Sequence, residues 1–263
     1  MTLRHFLFGV SSKSTHVVCA LLLGGTVVHL WTSNARESTA PPVESPKDDA
    51  ALVRSLLGEN LSGRTFSFAT VAEACSDKRV LPLTADPAHQ RVTAAITQAL
   101  TATLAELNQP DSPVRQLRRI NEASKFFEDR IQKHLASSPG LKCEVPPNRA
   151  GEHQRTGYPD LRIVDLESKL VFYLDPKLVE QGSAESTFRS FYFEPKTETL
   201  KITDDAVHLL VGIEHDGKDG LWTFTGWRLA DLSCLRVRLK AEFQASNAGL
   251  YEKTVLSLPQ SAR

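Results

Sequence analysis

The sequence predicts an α/β (α+β) fold, a mixed β-sheet flanked by helices and preceded by an N-terminal hydrophobic helix. Three observations predict it. Two stretches with apolar residues at helical spacing come first, then a succession of short segments rich in β-branched and aromatic residues, and two of those segments are separated by a tight polar turn. Helices followed by strands with one close reversal describe a sheet that packs helices on its faces.

In order along the chain, Met1–Thr15 carries Arg4 and Lys13 but no acid, and Val17–Trp31 is a nearly continuous apolar run. Its 15 residues are short for a membrane span, which takes about 17–25, and fit the core of an export signal, about 7–15. Residues 1–35 therefore read as a cleaved signal, placing the protein in the periplasm or outside the cell, or as an uncleaved membrane anchor. Either would engage membrane or export machinery. A start codon assigned too far upstream would instead leave a cytoplasmic protein. Arg36–Ala50, rich in Pro, Ser and charge, reads as a flexible linker, and 51–263 as the folded domain.

Within that domain, Arg64–Val71 and Arg79–Leu83 have strand composition. Val92, Ile96, Leu100, Leu104 and Leu107 recur at helical spacing, so Ala88–Leu107 is an expected amphipathic helix. Ser112 and Pro113 suit a helix start, with Val114, Leu117, Ile120, Phe127, Ile131 and Leu135 as its apolar stripe. Strands are expected at Leu141–Val145, Leu161–Leu166, Leu170–Leu178, Ser190–Phe193, Val207–Glu214, Leu221–Arg228 and Cys234–Leu239. A last helix is expected over Ala241–Tyr251.

Composition narrows the function. Lys+Arg and Asp+Glu both number 31, so contact with nucleic acid would depend on a local basic patch and not on a global field. Cys75, Cys143 and Cys234 would remain after removal of residues 1–35, and no CxxC or Cys/His spacing suggests zinc. The sequence has no Gly-rich phosphate loop and no GxSxG elbow.

The chemistry lies in the expected hairpin. With Glu167-Ser168 as a two-residue turn, Leu166 faces Lys169, and stepping outward places Asp160 opposite Asp175. Paired residues point to one face with Cβ atoms about 4.5–5.5 Å apart. Alternation along the strand adds Lys177 to that face, with Val171 and Tyr173, while Phe172 and Leu174 lie on the other. Two carboxylates and an ammonium on a half-buried strand need a reason, and a divalent cation with oxygen ligands provides one.

Tyr158-Pro159-Asp160 followed by Asp175-Pro176-Lys177 resembles the PD…(D/E)XK signature of restriction-endonuclease-like nucleases. The resemblance covers residues 113–251. It implies that Asp160 and Asp175 hold Mg²⁺ (or Mn²⁺), that Lys177 is the catalytic lysine, and that DNA, with RNA left open, is the substrate. Phe127-Glu128, followed by Leu135 and Gly140-Leu141, is similar to the arrangement that supplies a third carboxylate from the preceding helix, so Glu128 is a further ligand, with Glu122 the runner-up. A homodimer is compatible with this reading. The alternative is a membrane-anchored or exported nucleic-acid-binding scaffold that keeps an inactive nuclease fold.

Candidate contacts to nucleic acid are Arg155, Arg189, Lys196 and Gln244, together with Arg236, Arg238 and Lys240, which share one face of a strand. A charged edge strand or solvated surface explains the last three equally well. Arg115, Arg118 and Arg119 read as a solvated helix face, and His208 as a core residue or a support behind the site.

Overall fold

The structure is a computed structural model, and it describes residues 46–183, 191–192, 194, 199–218 and 220–240. The apolar run 17–31 and the expected C-terminal helix lie outside them. No helix among the described residues is long and apolar enough to cross a membrane. The chain divides into two compact units, 1–53 and 54–263. Of the first, only 46–53 are described, as the leading part of helix α1 (Pro46–Gly58). The expected linker therefore ends before Pro46: proline suits a first helical turn, and the Ala- and Leu-rich continuation favours helix.

The second unit is built on a six-stranded mixed sheet. Its strands are β2 (Val80–Leu81), β3 (Leu141–Glu144), β4 (Leu161–Asp165), β5 (Val171–Glu180), β6 (Ala206–His215) and β7 (Phe224–Asp231). The order is β2-β6-β5-β4-β3, with β7 also pairing β6. β5 and β6 run parallel, as do β2 and β6, while β3–β4, β4–β5 and β6–β7 are antiparallel. A separate two-stranded ribbon joins β1 (Thr65–Ser67) to β8 (Arg236–Arg238).

Helix α3 (Pro87–Leu107) matches expectation, with the Asp86 side chain accepting from Ala88 N at 2.8 Å. Two expectations fail for local reasons. Arg64–Val71 is a strand only at Thr65–Ser67, because Ser67 caps helix α2 (Phe68–Ser76), and Phe68, Ala72 and Ser76 form its buried face. The expected helix from Ser112 instead begins at Ser124, as α4 (Ser124–Ala136). Residues 113–116 and 120–123 are 3₁₀ turns, and the extended Leu117 and Arg119 between them break the helix. The Trp222 indole holds the Leu117 carbonyl at 2.8 Å, a tertiary bond that propensity does not encode. Arg115, Arg118 and Arg119 therefore do not share a helix face.

Other strands shift at their ends. β7 starts three residues later than expected, and Cys234 lies in a 3₁₀ turn before β8. Phe191 and Tyr192 are not strand, and Ser190 and Phe193 lie outside the described residues.

Both sheet faces are covered. On one, Val92, Ile96 and Leu100 of α3 and Phe127, Ile131 and Leu135 of α4 bury Ile163, Phe172, Leu174, Leu209 and Val211. On the other, Phe68 and Ala72 of α2 pack with Tyr158, Val171, Tyr173, Leu200 and Ile202. Period-2 alternation along β5 is what sends Phe172 and Leu174 to one core and Val171 and Tyr173 to the other.

The segment entering β6 is pinned to this second face. Arg162 grips Asp204 with two 2.8 Å bonds, and the Tyr173 hydroxyl donates to Asp204 at 2.8 Å while accepting from Thr203 N at 2.9 Å. The Arg162 bonds, with those of Tyr173 and Thr203, hold the Asp204 carboxyl down at about 2. Because the folded value lies below the unfolded one, about 3.9, this stability is complete above the unfolded value and is lost as pH falls toward 2. Asp204→Asn should therefore cost on the order of 2 kcal/mol at neutral pH and almost nothing near pH 2, as measured by denaturant unfolding.

Candidate active site

The β4–β5 hairpin has the expected register, Leu161 opposite Leu174 and Val164 opposite Val171, but a longer turn. Leu166–Lys169 form a four-residue loop closed by Lys169 N donating to Asp165 O (2.8 Å) and Asp165 N donating to Leu170 O (3.0 Å). Lys169 takes a left-handed conformation (φ 64°), and the Asp165 carboxylate braces the loop by accepting from Ser168 Oγ (2.6 Å) and Arg91 (2.8 Å). Removing one residue from each strand preserves every remaining pair, so the longer turn leaves the site register unchanged.

At the open end of the hairpin the predicted groups meet. Lys177 Nζ lies 2.5 Å from Asp175 Oδ2 and 3.5 Å from Asp160 Oδ2. Asp175 is only 2% exposed. Burial, followed by the neighbouring Asp160 charge, pushes its carboxyl upward against the pull of Lys177. Burial works against the Lys177 ammonium, but Asp175 and Asp160 outweigh it and raise its pKa. The lysine is therefore a firmly charged cation lying between two acids.

Glu128 comes from α4. Burial and the Asp160 charge raise its carboxyl, while Arg155 and Lys177 oppose the shift. Its carboxylate pairs with Arg155 at 3.3 Å, and Arg155 also binds Asp129. Among the described residues, no three His, Cys, Asp or Glu side chains are close enough to form a ready cation cage. The two hairpin acids are thus the nearer pair and Glu128 an outer carboxylate. Glu122 is exposed on the turn before α4. A pair of carboxylates is still a donor set that fits Mg²⁺, which takes one or two carboxylates and completes its octahedron with water and phosphate oxygens.

The segment before Asp160 is held by residues that sequence reading passed over. Gly157 (φ +87°) lies against Thr199, and a Cβ there would fall 2.2 Å from the Thr199 carbonyl oxygen. Lys201 N donates to Tyr158 O at 3.1 Å, and Lys201 Nζ reaches Gln154 O at 3.4 Å. A lysine between Leu200 and Ile202, both buried, was the available signal. Tyr158 O is thereby fixed one residue before the Pro159-Asp160 step, and its hydroxyl lies 2.9 Å from His208 Nδ1. Burial pushes the Tyr158 phenol well up and the His208 imidazole down to about 3, so both stay neutral. His208 is a core support, as expected.

The predicted nucleic-acid contacts divide. Arg155 is engaged with Glu128 and Asp129, beside the acids. Arg236 and Arg238 are exposed on β8 and Lys240 just beyond it, away from the hairpin in the fold's topology, and Arg236 bonds Thr65 Oγ1 (2.7 Å) and Thr65 O (2.8 Å). Arg189, Lys196 and Gln244 lie outside the described residues.

A mixed sheet whose hairpin gathers two acids and a lysine, with a glutamate-bearing helix alongside, is the layout of a restriction-endonuclease-like nuclease. The model of the Type II restriction enzyme MjaV family matches residues 61–254, and the chain belongs to that family. It is 33% identical over 147 residues to the Type II restriction enzyme MjaV of Methanocaldococcus jannaschii. That match covers 53% of this chain and 62% of the relative, so it spans less than two thirds of the relative's length.

Proposed function

We propose that this protein is a DNA endonuclease of the PD-(D/E)XK type that hydrolyses phosphodiester bonds with Mg²⁺, or Mn²⁺ in its place. The observation that carries the reading is the convergence of Lys177 on Asp175 and Asp160 at 2.5 and 3.5 Å, on a hairpin whose register follows from sequence. Family membership supports it. When bound by Asp160 and Asp175, the divalent ion supplies Lewis acidity and neutralises charge at the phosphate. Lys177 places a fixed positive charge where water would attack phosphorus and negative charge would develop on the phosphoryl oxygens. In the hydrolysis a water oxygen bonds phosphorus, the ester P–O bond breaks, and the departing oxygen takes up a proton. Glu128, held by Arg155, is placed to orient that water or to ligate from the outer side.

The test uses the full chain with supercoiled plasmid, linear duplex, single-stranded DNA and RNA, each with Mg²⁺, Mn²⁺ or EDTA. Cleavage of duplex DNA is expected with either metal and none in EDTA. Binding without cleavage under every metal condition would instead establish the inactive scaffold.

A further inference from the structure

Lys201 has no role in the reading above, and its surroundings are unusual. It is fully buried (0% exposed) in the polypeptide that crosses behind Asp160, whereas a lysine is almost never buried completely without a compensating partner. The printed polar contact of its ammonium is a 3.4 Å bond to Gln154 O, and the Gln154 side-chain nitrogen is buried without a hydrogen-bond partner among the described residues. One neutral carbonyl is a weak counterpart for a buried full charge. The Thr199–Lys201 strand segment is fixed by the Lys201 N to Tyr158 O bond and by the absence of a side chain at Gly157.

We propose that Lys201 is a positioning residue of the reaction centre, a buried second cation behind the acids that lets Asp160, Asp175 and Glu128 lie together before metal arrives and thereby weakens metal binding. This rests on the nuclease reading. Burial lowers the Lys201 pKa, and the opposing influences, in order, are Asp160, Glu128 and Asp175, so its charge is felt by all three acids of the proposed site. Lys177 cannot fill this role alone, because it lies directly on two of these acids, in the space between them.

The experiment is calorimetric titration of Mn²⁺ into the full-length, DNA-free protein and its variants, with a thermal melt of each. Lys201→Met, which keeps the length of the side chain and removes its charge, should bind Mn²⁺ about tenfold more tightly, since a cation repelling the metal is gone. Lys201→Arg should return the affinity to the wild-type value. Wild-type binding with an unchanged or weaker affinity in folded Lys201→Met overturns this inference alone. No Mn²⁺ binding by the wild type overturns the site reading and this inference with it. If Lys201→Met does not fold, Lys201→Gln takes its place. Failure of both to fold would make the residue part of the core and overturn the proposal.

Discussion

Asp175→Ala is expected to lower the rate of duplex cleavage by about 10³-fold or more and to weaken metal binding with it, because the most buried carboxylate of the pair is lost. Lys177→Ala should lose a similar factor in turnover while keeping or tightening its affinity for Mn²⁺, since it removes a cation from between two ligands. Single-turnover cleavage at saturating metal, set beside calorimetric Mn²⁺ titration, separates the two effects. Equal loss of metal binding in both variants would show that Lys177 maintains the carboxylates and does not act on the phosphate.

Stability should move in the opposite direction. Burial and Asp160 raise the Asp175 pKa in the folded protein above its unfolded value of about 3.9, so the folded state holds that proton more tightly. Metal-free stability therefore falls as pH rises from about 4 through the raised folded pKa. Asp175→Asn removes this penalty, and at neutral pH without metal it should melt higher than wild type by the equivalent of on the order of 1 kcal/mol. A lower melting temperature would mean that the ion pair with Lys177 outweighs the cost of crowding.

The second large effect is expected at Gly157. Its left-handed φ of +87° costs any L-residue about 1–2 kcal/mol, and a Cβ would also meet the Thr199 carbonyl oxygen at 2.2 Å. That oxygen belongs to backbone and has no side-chain freedom to yield. Gly157→Ala should thus destabilise by more than about 2 kcal/mol and separate the Lys201 segment from the strand leading to Asp160. Both losses should appear together, as a lower unfolding midpoint and a slower cleavage rate at saturating metal. Gly151→Ala is the control: its φ is also positive (+82°), but no atom lies within 4 Å of a Cβ there, so only the conformational part of the cost should remain.

Much of the site was legible beforehand because hairpin pairing is an arithmetic of register. Once Leu161–Asp165 and Val171–Glu180 pair across a short reversal, Asp160, Asp175 and Lys177 fall on one face, and lengthening the loop symmetrically cannot move them. Helix α3 was legible from its period and its Asp86 cap, and the two-faced core of β5 from alternation. The split of 113–136 into 3₁₀ turns and α4 was not legible, since the apolar stripe continues through Leu117 while Trp222, more than a hundred residues away, holds that carbonyl out of a helix.

What the sequence determined by itself is the pairing of the two acids with the lysine, because side-chain direction in a strand depends only on parity. What only the tertiary structure decided is which distant groups surround them: Glu128 with Arg155, and Lys201 behind the Gly157 turn. These residues come from elements joined by packing, and the side chain at one position does not reveal which distant backbone will lie against it.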